Sequence, residues 1–181
     1  VAETAFFIDN GDTIHLRWFT PEIEMDLCGH ATLATVHCLV KHLDYQKSKI
    51  VFETQVGELT VDIKDEVYYM DFPSRMPQPS ALPDVIKNSL NIQPKETYKS
   101  RDYVLLYESE EEVRNIHINR SIFDLINLDP GGVVVTATGN DSDFVSRYFT
   151  PQSTILEDPV TGSAYCSLIP FWASRLGKDT L

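Results

Sequence analysis

Residues 17–31 read RWFTPEIEMDLCGHA, and residues 147–164 read RYFTPQSTILEDPVTGSA. The opening pentapeptides differ only in Trp18 against Tyr148, and each stretch runs on to a Gly-polar-Ala step, Gly29-His30-Ala31 or Gly162-Ser163-Ala164, that begins an apolar segment. A five-residue match alone arises by chance. A match that continues through the same strand, turn, acidic residue and helix start reads as an internal duplication. Around the first copy, Ile14, Leu16 and Trp18 alternate with His15 and Arg17, the period of a half-buried strand. The duplication therefore predicts two equivalent domains, each with a strand and turn leading into a buried apolar helix.

The flanking sequence fits that expectation. KIVFET (49–54), GELTVDI (57–63) and EVYYMDF (66–72) read as strands of an antiparallel meander. Between Gly29 and His42 the apolar residues cover nearly the whole helical circumference, which predicts a helix buried all round. The segment PSRMPQPSALP (73–83) is too rich in proline for regular structure and marks a boundary, giving domains at 1–75 and 76–181. Beyond it the pattern predicts a helix at 84–91, a strand at 102–108 and a helix opened by Ser109 with Glu112 three residues on. An apolar helix near 121–128, ended by Asp129-Pro130-Gly131-Gly132, and a buried strand VVVTAT (133–138) follow.

Two equivalent domains about a pseudo-two-fold axis would bring both helix starts into a shared cleft. Unpaired backbone N–H groups there suit a small anion such as a carboxylate, with Gly29 and Gly162 allowing close approach. The copies lie about 130 residues apart, so two full repeats would need roughly 260 residues. The chain has 181, and it is expected to be an internal portion of a longer protein that lacks strands at both ends.

Composition narrows the partners. Fifteen Lys and Arg against 27 Asp and Glu give a net charge of -12, which repels nucleic acid and anionic membrane surfaces. Cys28, Cys38 and Cys166 are an odd, widely spaced set without a disulfide framework, as in a reducing compartment. No apolar run approaches a membrane span and VAETAFFIDN is not a signal peptide, so a cytoplasmic location is expected.

Few residues announce chemistry by themselves. His30 at a helix start is either structural or a proton-transfer group at the mouth of the cleft. Asp158 and Ser163 stand where helix-capping residues would, and also where an acid and a hydroxyl could reach a substrate. Glu157 is expected to face solvent. Glu3 could be ordinary surface charge. Cys28 and Cys166 suggest a paired-thiol base and acid, but Cys28 precedes its glycine whereas Cys166 follows Ser163 by nearly a helical turn, so Cys166 reads as a buried, inert thiol. Cys-x-x-Cys, His-Glu-x-x-His, Walker A and dinucleotide fingerprints are missing from the sequence, and no metal or cofactor is expected.

AETAFF (2–7), FTPEIEMDLCGHATLAT (19–35) and LEDPVTGSAYCSLIPFWASRLGK (156–178) together resemble the phenazine-biosynthesis-like PhzF family of isomerases. The resemblance runs nearly end to end. It implies the diaminopimelate epimerase-like fold, two similar domains each with a β-barrel-like sheet around a central helix, and a homodimer. It implies that Glu3 is the catalytic carboxylate, with His30, Asp158 and Ser163 holding or protonating the substrate. Gly29, Ala31, Thr161 and Gly162 are the substrate-binding positions beside them. In the phenazine enzyme the glutamate moves a proton between ring carbons of a dihydro-hydroxyanthranilate. Such a carboxyl group must act as base and then as acid near neutral pH, a property that burial confers. Tyr165 departs from the pattern, since many relatives have His there.

The resulting expectation is a cofactor-independent isomerase that shifts a proton on a small carboxylated metabolite. A two-base amino-acid epimerase of the same fold and a non-catalytic small-molecule-binding protein are the alternatives.

Overall fold

The computed structural model describes residues 3–21 and 23–181; Val1, Ala2 of AETAFF and Glu22 of FTPEIEMD lie outside them. The chain divides into two compact units, Val1–Pro73 and Ser74–Leu181. Among the described residues each unit carries a mixed six-stranded sheet with helices, an α+β architecture.

In the first unit, β1 (Thr4–Asp9) pairs antiparallel with β2 (Ile14–Phe19), and the two-residue β3 (Glu24–Met25) pairs with the end of β2. Helix α1 (Gly29–His42) then carries the chain over to β4 (Lys49–Thr54), which lies parallel to the start of β2. A parallel neighbour requires such a crossover. Strands β5 (Gly57–Lys64) and β6 (Val67–Asp71) complete the meander. Ile14, Leu16 and Trp18 are buried while His15 and Arg17 face outward, as the alternation predicts.

Helix α1 corrects the expectation of burial all round. Ala31, Thr32, Thr35, Val36 and Leu39 are buried, whereas Leu33, His37 and Cys38 are exposed. Against the sheet of the described residues the helix buries one stripe. The buried threonines return their hydroxyls to the helix backbone, Thr32 Oγ1 to the Cys28 carbonyl at 2.7 Å and Thr35 Oγ1 to the Ala31 carbonyl at 2.8 Å. Each polar group is thereby satisfied without a partner from the sheet.

The second unit begins with β7 (Gln78–Pro79), α2 (Asp84–Ser89), β8 (Glu96–Lys99) and β9 (Tyr103–Leu106). Two short helices follow, α3 (Glu110–Arg114) and α4 (Arg120–Phe123), then β10 (Val133–Thr138), β11 (Phe144–Phe149) and β12 (Glu157–Asp158). A 3-10 turn, Gly162–Ala164, leads into α5 (Tyr165–Leu176). The sheet runs β12-β11-β10-β9-β8-β7, with β9 and β10 parallel at its centre. Val133, Val135 and Leu105 pack toward Ile86, Val113 and Phe123, while Val134, Val104 and Leu106 pack toward Leu168, Phe171 and Trp172 of α5. Coverage of both faces is why VVVTAT lacks alternation.

The helix expected near 121–128 is only one turn long. The Asn127 side chain accepts the Asp129 N–H at 2.9 Å, and such local bonds favour a turn over further helix. The Ser109 cap is present, its Oγ accepting the Glu112 N–H at 3.2 Å. In α5, Pro170 supplies no N–H to the Cys166 carbonyl. The Arg75 N–H donates to that oxygen instead, at 2.7 Å, and pins the start of the unit to the helix.

The register shows how far the duplication reaches. β1 and β2 pair from Thr4↔Phe19 to Asp9↔Ile14, and β10 and β11 from Val133↔Phe149 to Thr138↔Phe144. β3 sets Glu24 against Phe19, and β12 sets Glu157 against Phe149. Both glutamates then clasp the repeated arginine with two bonds, Arg17–Glu24 at 2.7 and 2.5 Å and Arg147–Glu157 at 2.8 and 2.8 Å. Each guanidinium also lies 4.9 Å from the ring centroid of the repeated Phe, Phe19 or Phe149. Glu157 is therefore a built partner of Arg147 and not the solvent-facing residue expected. The equivalent of Asp158 is Met25, since these two pair with Tyr148 and Trp18.

Arg147 does more than its counterpart, donating Nη1 to the carbonyls of Val113, Arg114 and Ile116 at 2.9, 3.2 and 2.9 Å. Arg147→Met is expected to cost about 2–3 kcal/mol, read from urea midpoints, because it strips donors from three carbonyls and from Glu157. The hydrogen-bonded guanidinium holds Glu157 below the ordinary carboxylate range. A depressed folded-state pKa gives stability above the unfolded value that is lost as pH falls through the folded one. The gap between wild type and Arg147→Met should therefore narrow in acid, and a gap that stays constant to pH 3 would count against this pairing.

Candidate active site

Glu3 directly precedes β1, and Thr4 pairs with Phe19 at the end of the hairpin where β3 leads into α1. That register brings Glu3 Oε2 to 2.9 Å from Nε2 of His30, the second residue of α1. The contact is close but is not an aligned hydrogen bond, and Oε2 is a buried acceptor with no aligned donor. The Glu3 side chain is 14% exposed and that of His30 38%, so the pair opens to solvent on the histidine side. Cys28, at the N-cap of α1, lies with its sulfur 3.7 Å from His30 Nε2 and 3.9 Å from Nδ1. Gly29 and Ala31 flank His30 in the same buried turn.

The second unit assembles a different set. Asp158 does not cap a helix. Its Oδ1 accepts the Val160 N–H at 3.1 Å and its Oδ2 the Thr161 hydroxyl at 2.6 Å, an Asx turn that shapes the Asp-Pro-Val-Thr-Gly loop. Ser163 sits in the 3-10 turn with Gly162, and its Oγ accepts from Arg101 Nη2 at 2.8 Å. With a lone pair engaged by a guanidinium, the hydroxyl proton is available to a further acceptor.

The structure adds Arg101 and Asp102, which sequence reading missed. Arg101 also reaches the Asp102 carboxylate through Nε and Nη2, each at 3.4 Å. Asp102, only 1% exposed, accepts the Gly132 N–H and the Tyr148 hydroxyl on Oδ1, both at 2.9 Å. Burial, and then the Asp102 charge, push the Tyr148 hydroxyl far above the ordinary phenol range, so it stays a donor. A Cβ on Gly132 would lie 2.7 Å from the Phe149 carbonyl and from the Tyr148 ring. The only signals in the chain were a charged doublet between strands and the paired glycines of the Asp129–Gly132 turn.

By register Gly132 holds the position that Glu3 holds in the first unit, each directly before the strand that pairs with the repeated Phe. The two copies have diverged, one into a carboxylate beside an imidazole and the other into a carboxylate loop beside a hydroxyl. Burial raises the Cys166 thiol above its ordinary range, although Arg75 and Arg101 pull it the other way. A raised thiol is a poor base, and Cys166→Ala is expected to leave activity unchanged; a large loss of turnover in a folded variant would reopen the paired-thiol reading.

Comparison with known proteins places these motifs. The phenazine biosynthesis-like protein profile matches residues 1–180. The chain is 43% identical over 181 residues to an uncharacterized isomerase of Pseudomonas aeruginosa, covering all of this chain and 69% of that protein. A crystal structure of a phenazine biosynthesis protein of the PhzF family from Enterococcus faecalis superposes with a TM-score of 0.86 at 42% identity, covering 98% of this chain and 68% of the other. A probable proline racemase from Agrobacterium radiobacter superposes with a TM-score of 0.61 at 10% identity over 99% of this chain and 62% of its own, a likeness of fold alone.

Proposed function

The chain belongs to the phenazine biosynthesis-like PhzF family of isomerases, and we propose that it moves a proton on a small carboxylated metabolite by general acid–base catalysis without a cofactor. Glu3 takes the proton from one carbon and returns it at another, and His30 holds the carboxylate and the bound substrate in reach. The observation that carries this reading is Glu3 Oε2, a buried oxygen beside an imidazole with no aligned donor to occupy it. Such an acceptor is free to receive a proton without first breaking a hydrogen bond. In the second unit Asp158 and Ser163 are assigned to substrate binding, Ser163 donating to an anionic group while Arg101 acts as a positioning residue behind the hydroxyl. Thr161 and Gly162 supply the backbone beside them, as Gly29 and Ala31 do beside His30. The raised thiol of Cys166 counts against the two-base epimerase.

In deuterated water, incubation with unsaturated and saturated carboxylic acids should wash deuterium into a carbon-bound position of the true substrate, seen by proton NMR. Candidates that bind but never exchange would leave only a binding protein. A cytoplasmic homodimer completes the proposal, and sedimentation equilibrium at micromolar protein checks the dimer. No helix among the described residues is long and apolar enough to cross a membrane.

A further inference from the structure

We propose that Glu3, Cys28 and His30 form a three-ligand site for Zn²⁺, an inhibitory ion and not a cofactor, that removes the acid–base pair from use. The three side chains offer one carboxylate oxygen, one sulfur and one imidazole nitrogen, all within 4.8 Å of one another. The nitrogen is 2.9 Å from the carboxylate oxygen and 3.7 Å from the sulfur. In a zinc tetrahedron with ordinary bond lengths, ligand atoms of these kinds stand about 3.4–3.6 Å apart. The oxygen and nitrogen must therefore part by about half an ångström and the sulfur close by at most about 1.2 Å, displacements within reach of side-chain rotation.

The donor set selects the ion. A thiolate with an imidazole favours Zn²⁺ over Mg²⁺ or Ca²⁺, which prefer oxygen ligands. Three protein ligands and an open side, here the 38%-exposed face of His30, match the pattern in which a fourth position is left to water or another small ligand. The ligands also come from two directions. Cys28 and His30 are held at the start of α1, and Glu3 enters from the residue before β1, where the hairpin register places it. Glu3 Oε2 would gain in the ion the strong partner it lacks in the resting protein. The Cys28 proton leaves as the sulfur binds, and no redox step is involved.

That the ion inhibits rests on the proposed role of Glu3, whereas its binding does not. The test is a titration of chelator-treated protein with Co²⁺, which takes the same ligands and reports thiolate bonding as a near-ultraviolet charge-transfer band, followed by displacement with Zn²⁺. One equivalent should develop the band and one of Zn²⁺ should bleach it. Cys28→Ser should lose the band. Glu3→Gln and His30→Gln should each weaken binding about 100-fold or more, beyond the loss expected from changes outside the ligand shell. Cys38→Ser and Cys166→Ala should leave the titration as in wild type. A band that survives in folded Cys28→Ser, or affinity unchanged in both folded Glu3→Gln and His30→Gln, overturns the site. If binding follows this pattern but exchange activity persists at saturating Zn²⁺, the metal site stands and the role assigned to Glu3 fails.

Discussion

Glu3→Gln should abolish deuterium exchange on the substrate, lowering kcat by about 10²–10⁴-fold, the range that a positioned general base contributes. The glutamine amide has the same size and can still accept a hydrogen bond, yet it cannot hold the transferred proton between its removal and its return. KM should change little, because binding is assigned to His30, Asp158 and Ser163 and the backbone beside them. Nor should stability fall much, since Glu3 Oε2 has no aligned hydrogen bond to lose and the glutamine keeps the side chain's size. A variant with an unchanged thermal midpoint and lost exchange separates chemistry from folding. Exchange within a few-fold of wild type would sink the assignment, and the acid–base pair would have to be sought in the second unit. His30→Gln makes the contrast, because a residue that holds the substrate should raise KM alongside any fall in kcat.

The repeat carried the fold because three features of each copy sit within a short stretch of chain. The arginine, the aromatic-Phe-Thr-Pro turn and the Gly-polar-Ala helix start are local, and periodicity reads local structure well. What joined them was not visible. The clasp of Arg17 by Glu24 and of Arg147 by Glu157 is set by cross-strand register, and the chain offers different spacing in the two copies. That difference hides the counterpart of Asp158, a place that the strand pairing gives to Met25. The burial of α1 was misread for a related reason. Apolarity around a helix states which residues tolerate burial, while the number of layers laid against it decides which are buried.

The site divides along the same line. His30, Asp158 and Ser163 could be singled out because each lies inside a repeated motif, and Glu3 only through its likeness to a family. Arg101 and Asp102 lie in no repeat, in the turn between β8 and β9. Their part is played through Ser163, Gly132 and Tyr148, all remote in sequence. Such long-range hydrogen bonding leaves no periodic trace.

Asp102→Ala should be the most destabilising of the substitutions considered, by about 3–5 kcal/mol. The carboxylate is 1% exposed, and its removal takes the acceptor from the Gly132 N–H and the Tyr148 hydroxyl and the nearest anion from Arg101. Water has little room to substitute, because the backbone at Gly131 and Gly132 runs so close to its neighbours that a Cβ on either would lie 2.6–2.7 Å from a carbonyl oxygen. Asp102→Asn distinguishes the two things the residue does. An amide oxygen still accepts from Gly132 and Tyr148, so the fold should survive at a cost of about 1–2 kcal/mol. The charge that steadies Arg101 is lost, and the guanidinium should no longer hold Ser163 in one orientation. With substrate in hand, Asp102→Asn should therefore raise KM more than it lowers kcat, and Ser163→Ala made in that background should add little further loss, since the two changes act through one contact. Full additivity of the two variants would mean that Asp102 supports the sheet and nothing more.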